Sequence, residues 1–176
     1  SIKICKQIVN NKDIKYPIQD LLASNFKKKG NFLEALKIYK NKLLENRDDY
    51  KIYYNIGCLL FELGKIHQAN YHFIKSKNLN PKFADISWRQ SLCLLTLKDF
   101  RNGFVLYENR WKRENHPNKK FDNIKSPNHI SEIKDKNILI WDEQGLGDTI
   151  NFSRFVIDIL KFTKKVTFVV DKKLKD

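Results

Sequence analysis

Residues 50 to 83 read YKIYYNIGCLLFELGKIHQANYHFIKSKNLNPKF, and their spacing decides the architecture. Tyr53, Ile56, Gly57 and Leu60 fall on one face of a helix and Ala69 and Phe73 on one face of the next, with Gly64 between them and Pro81 at the end. One period of 34 residues earlier, Leu22, Ala23, Phe26, Gly30, Ala35 and Tyr39 occupy the equivalent places; one period later, Ser91, Leu94, Gly103 and Tyr107 do. Gln90, Lys98 and Asn115 depart from the pattern in that last copy. A period held over three copies marks a repeat array whose units stack on their neighbours.

Each unit predicts two antiparallel helices. Small residues such as Gly57 and Ala69 stand where the helices cross, because a larger side chain would push the axes apart. Tyr39, Phe73 and Tyr107 fill the space beside them. Gly30 and Gly64 close the first helix of their units in a left-handed conformation that costs glycine little, and Pro81 stops the second helix of its unit. Helices are expected at 17 to 28, 31 to 45, 51 to 62, 65 to 78, 83 to 96 and 99 to 112.

Length and spacing together resemble the tetratricopeptide repeat (TPR), over residues 16–49, 50–83 and 84–117. In the same register Ser1, Cys5, Ile8 and Val9 match Ala35, Tyr39, Lys42 and Leu43, so residues 1–15 read as the second helix of a partial repeat and a link. A stack cut in mid-repeat would leave an apolar face open to self-association. First helices of such repeats line a groove that receives extended peptides. Helical phase puts Lys51, Tyr54, Asn55 and Cys58 on that face in one repeat, and Trp88, Arg89 and Leu92 in the next. An Asn side chain there pairs with a peptide backbone and Arg89 with a carboxylate; helix surface and inter-repeat packing are the competing roles. Asp20, Leu21 and Ser24 hold the corresponding places in the first repeat, so the Lys-rich carboxylate clamp of some TPR proteins is not reproduced.

The composition narrows the function classes. The chain has 176 residues, 41% hydrophobic and 31% charged, enough for one ordinary domain or two small ones. Net charge is +14, but 28 of the 34 cations are Lys, and Asn and Ile are abundant while Ala is scarce. That pattern reads as a coding bias producing a solvated basic surface, and nucleic acid is not the expected partner. No run of about 18 apolar residues would span a bilayer, and no secretory signal opens the chain, so the expected compartment is the cytoplasm. Cys5, Cys58 and Cys93 form no CxxC pair, and His67, His72, His116 and His129 share no ligand spacing, so neither metal nor cofactor is expected. There is no Met, even at position 1, which reads as a fragment or a trimmed chain.

After Trp111 the character changes. Residues 118–136 are polar and carry Pro127, which reads as a linker. Ile138 to Trp141 form an apolar run of strand length, Gly145 to Asp148 a turn, Ile150 to Leu160 a helical stripe, and Val166 to Val170 a second strand. Strand, glycine turn, helix and strand over 137–176 make a βαβ unit with a parallel sheet. A dinucleotide fingerprint fails because Ile150 stands at its third glycine, and the phosphate-loop ending is absent. A structural account of the turn remains, with Gly145 and Gly147 bending the chain and Asp148 capping the helix.

The stretch from Trp141 to Phe155, WDEQGLGDTINFSRF, preceded by Gly103, Tyr107, Arg110 and Trp111 at the end of the last repeat, resembles bacterial TPR glycosyltransferase-like proteins. The fold class is then mostly α, a TPR solenoid followed by the opening βαβ of an incomplete Rossmann-like domain of the two-halved, heptosyltransferase-like kind. The resemblance implies that Asp148 is a candidate general base, taking the acceptor hydroxyl's proton as it attacks the anomeric carbon. Gly145, Gly147, Glu143 and Arg154 become candidate substrate contacts. It implies a nucleotide-sugar donor in an intact protein, and no turnover by this chain alone. The alternative is a non-enzymatic TPR scaffold that binds an extended peptide or partner protein.

Overall fold

In the computed structural model the described residues are 15–114, 121, 123–127, 129–143 and 145–174. The partial-repeat helix expected near residues 1–10, Cys5 and Pro117 lie outside them. The chain divides into two compact units, Ser1–Pro117 and Asn118–Asp176.

In the first unit, α1 (Lys15–Lys28) pairs with α2 (Phe32–Glu45), α3 (Tyr50–Glu62) with α4 (Ile66–Leu79), and α5 (Ala84–Thr96) with α6 (Phe100–Tyr107). The last helix is shorter than expected. At Glu108–Lys112 the chain tightens into a 3-10 turn, where the Asn109 amide donates to the Leu106 carbonyl at 2.9 Å and the Arg110 guanidinium to the Tyr107 carbonyl. Side chains that take up helix carbonyls in this way compete with the α-helical ladder.

The three turns inside the pairs are the same turn. Gly30 and Gly64 have φ of 76° and 71°, and Lys98 repeats it at 64°. In each, the next residue's amide reaches back to the carbonyl of Phe26, Leu60 or Leu94 at 2.9 Å, closing a Schellman motif. The Asp49 carboxylate caps α3 by accepting from the Lys51 amide, and α4 ends just before Pro81.

Close packing follows the small residues. A methyl group added at Gly57 would lie 2.7 Å from the Phe73 ring, and one at Gly103 2.7 Å from the Leu95 side chain. Phe73, Ile52, Ile56, Leu59 and Ile86 are fully buried around this crossing. Each such side chain contributes about 1.5–3 kcal/mol of transfer free energy, set against the conformational entropy it loses.

In the second unit, β1 (Asn137–Trp141) and β2 (Lys165–Val169) pair in parallel, with Ile138 opposite Val166 and Ile140 opposite Phe168. Helix α7 (Leu146–Leu160) connects them. Two parallel strands need a crossover of this kind, and these are all the strands among the described residues. Of α7 only Thr149 is buried; Ile150, Phe152, Phe155, Ile157 and Leu160 are exposed.

Candidate functional site

The first-helix face of the array is built on α3 and α5. On α3, Lys51 is exposed, Tyr54 and Asn55 are half-buried, and Cys58 is buried rather than presented to a ligand. On α5, Trp88, Arg89 and Leu92 are half-buried. Leu21 and Ser24 of α1 are exposed.

Trp88 of α5 meets two cations. Two guanidinium groups approach its ring, Arg113 at 3.7 Å and Arg89 at 4.9 Å from the ring centroid. Arg113 also donates from Nε to Asp85 at 2.6 Å, which neutralises it. Arg89 differs: its guanidinium shares a hydrogen bond with Tyr54 and pairs with no carboxylate among the described residues, and its Nε is buried without a hydrogen-bond partner. A buried donor left unpaired costs on the order of 1–3 kcal/mol, which an acceptor brought by a ligand would recover.

Burial and mutual charge shift the ionisable groups around Arg89. Burial pushes the Tyr54 phenol up to about 12, and the Arg89 charge beside it acts in the opposite direction. Burial likewise raises the Cys58 thiol, and it raises Cys93 to about 12, so both stay protonated and serve as packing. Burial works against the Arg89 cation, yet Cys58 and Tyr54 leave its pKa above the usual value.

One set of functional-looking residues escaped the pattern. Lys42, Ser76 and Arg110 stand one period apart and are all buried. Ser76 donates to the Tyr50 carbonyl at 2.8 Å. Lys42 reaches Asp20 at 2.5 Å, with its ammonium 5.4 Å and 5.7 Å from the ring centroids of Tyr16 and Tyr39. Arg110 pairs with Glu108 at 2.7 Å and lies over Tyr107 and Trp111. A signal was available in the periodicity, since two cations recur where the middle repeat has Ser76. Lys at helical spacing nevertheless looks like a solvated face until its ammonium is seen inside.

In the second unit, Asp148 is exposed in the first turn of α7. It is not the helix cap. Gly145 holds that position, and its carbonyl accepts the Thr149 amide at 3.2 Å and the Thr149 hydroxyl at 3.3 Å. Neither Gly145 nor Gly147 has a positive φ, and a side-chain carbon at either would meet nothing within 4 Å. Glycine is thus not demanded there by backbone strain or close approach. Glu143 is half-buried; Arg154 is exposed, with its guanidinium carbon 4.9 Å from the centroid of the Phe155 ring. Asp148 and Arg154 are six residues apart on one helix and so point about 120° apart. Among the described residues no group of three or more His, Cys, Asp or Glu is placed to hold a metal ion, and no helix is long and apolar enough to cross a membrane.

No family model matches the chain, and no curated protein matches it. Solved structures do. A tetratricopeptide repeat protein from Parabacteroides merdae superposes with a TM-score of 0.56 at 18% identity, over 63% of this chain and 44% of that one. The fold is that of the tetratricopeptide repeats. The type III secretion translocator chaperone SycD of Yersinia enterocolitica gives 0.54 at 16% identity, over 64% of this chain and 77% of its own. MamA from Desulfovibrio magneticus gives 0.55 at 10% identity, over 61% of this chain and 60% of its own. At these identities the likeness is one of fold. The TPR-like chain spans 61% of the length of the first MamA structure it matches.

Proposed function

We propose that the chain is a protein-interaction module whose α3 and α5 face holds an extended peptide, with a carboxylate of that peptide on Arg89. The buried, unpartnered Arg89 Nε beside Trp88 and Tyr54 carries this reading. The TPR-like fold supports it, because stacked helix pairs offer an extended binding surface. Peptides selected from a random library on the purified chain should carry an acidic residue, and Arg89→Gln should weaken them at least about tenfold. Unchanged affinity in fluorescence anisotropy with Arg89→Gln would remove the groove assignment.

A second reading treats the second unit as the opening of a glycosyltransferase-like, Rossmann-like domain to which the repeats bring an acceptor. The parallel crossover and the exposed carboxylate of Asp148 support it. In that reading Asp148 is the general base with Gly145, Gly147 and Glu143 beside the substrate, and Arg154, about 120° round the helix from Asp148, reaches the substrate only from its far side. It requires a donor half beyond the two strands described, so nucleotide sugars offered to this chain should give no transfer. Sugar transfer by a protein carrying the completed domain should fall about a hundredfold or more with Asp148→Asn.

A further inference from the structure

Away from Trp88 and Arg89, a cavity of about 570 Å³ opens between the end of one repeat and the start of the next, lined by Lys40, Leu43, Leu44, Arg47 and Tyr53. Its floor is apolar: Leu43 and Tyr53 are half-buried there, while Leu44 keeps 74% of its surface exposed. Its charges are of one sign. Lys40 and Arg47 are both exposed and no carboxylate is among the lining residues. His72 of α4 lies against Tyr53, with ring centroids 6.0 Å apart, and its Nδ1 is buried without a hydrogen-bond partner. Burial, and then the Lys40 charge, hold the His72 pKa below its usual value, so near neutral pH the ring behind Tyr53 is uncharged.

We infer that this cavity is a second docking point, separate from the first-helix groove, for a partner-protein segment in which an apolar side chain is flanked by carboxylates. The apolar side chain covers Leu43, Leu44 and Tyr53, and the flanking carboxylates meet Lys40 and Arg47. Charge complementarity selects this occupant over a second copy of the chain, since two molecules of net charge +14 repel. A nucleic acid would engage the cations and leave the leucines uncovered.

Three labelled probes test this by fluorescence anisotropy with the full chain: an acidic peptide carrying leucines, the same peptide with serines for the leucines, and a mixed RNA oligomer. The leucine peptide should bind best. The exposed pair Lys40→Glu and Arg47→Glu should weaken it at least about tenfold, and Leu44→Ser should weaken it too. Each comparison is made on the Arg89→Gln background, where acidic peptides lose the groove contact and binding of the leucine peptide should remain, which separates this site from the groove. Far-UV circular dichroism confirms that each variant is folded. Equal binding of the serine peptide, full competition by RNA, no binding of the leucine peptide on the Arg89→Gln background, or a charge-pair variant that binds as that background does would each overturn the inference. So would a change of sedimentation coefficient on charge reversal in the absence of peptide, which would make the cavity a contact between copies.

Discussion

Lys98 carries a side chain into a backbone conformation that Gly30 and Gly64 adopt without a Cβ. The left-handed region costs an ordinary residue about 1–2 kcal/mol. Lys98→Gly should therefore stabilise the array by about 1 kcal/mol, raising Tm by a few degrees in a thermal melt. Gly57 faces the opposite constraint. There the nearest atoms belong to the buried Phe73 ring, so added carbon meets a neighbour with little room to give. His72 supplies a pH dependence. Its folded-state pKa lies below the ordinary 6.5, so unfolding takes up a proton as the solution becomes acidic. Its contribution is fully present above about pH 6.5 and is lost as pH falls below it. The difference in Tm between the parent and His72→Gln should stay constant above that value and change below it, the parent losing stability faster as the pH falls.

The helix pairs are joined by specific polar contacts as well as by their apolar faces. Lys42 is 4% exposed and its partner Asp20 51%, so α1 and α2 share a cation that is buried at one end and wet at the other. Solvent screening at Asp20 reduces what the pair contributes, yet deleting the carboxylate leaves the ammonium among tyrosine rings alone. Asp20→Ala should destabilise by about 1–2 kcal/mol, whereas the double change of Asp20→Ala with Lys42→Met should recover most of that loss. A denaturant-based double-mutant cycle reads the coupling directly. The elements themselves were visible in the residue pattern, because Gly57 and Ala69 must be small and Gly30 and Gly64 must turn left. Their limits followed to within a residue or two. The end of α6 did not, since it depends on where Asn109 and Arg110 place their donors. Helical phase placed the proposed groove residues on one face by expectation alone, and the burial of Cys58 and the orphaned Arg89 nitrogen depend on the neighbouring repeat. The cavity at Lys40 depends on it as well, because Tyr53 belongs to the next helix pair. Asp148 looked like a cap because acids often are; the turn placed Gly145 there instead.

At the scale of the whole molecule the two units differ in how completely they cover their apolar surface. The repeats bury a continuous core from Ala23 to Cys93. The second unit leaves Phe152, Phe155 and Ile157 at 58%, 45% and 66% exposure on one helix, a concentration that marks a surface able to bind apolar probes. An environment-sensitive dye should therefore fluoresce with the native chain, and Phe152→Lys with Phe155→Lys should reduce the signal while far-UV circular dichroism stays unchanged.

The pair between Asp85 and Arg113 fastens the polypeptide, just past its last helical turn, onto the opening turn of α5. Mechanical tension arriving along the backbone from beyond residue 113 is thus shared with α5 through a strap, with the indole of Trp88 as its washer, instead of falling on one turn of 3-10 helix.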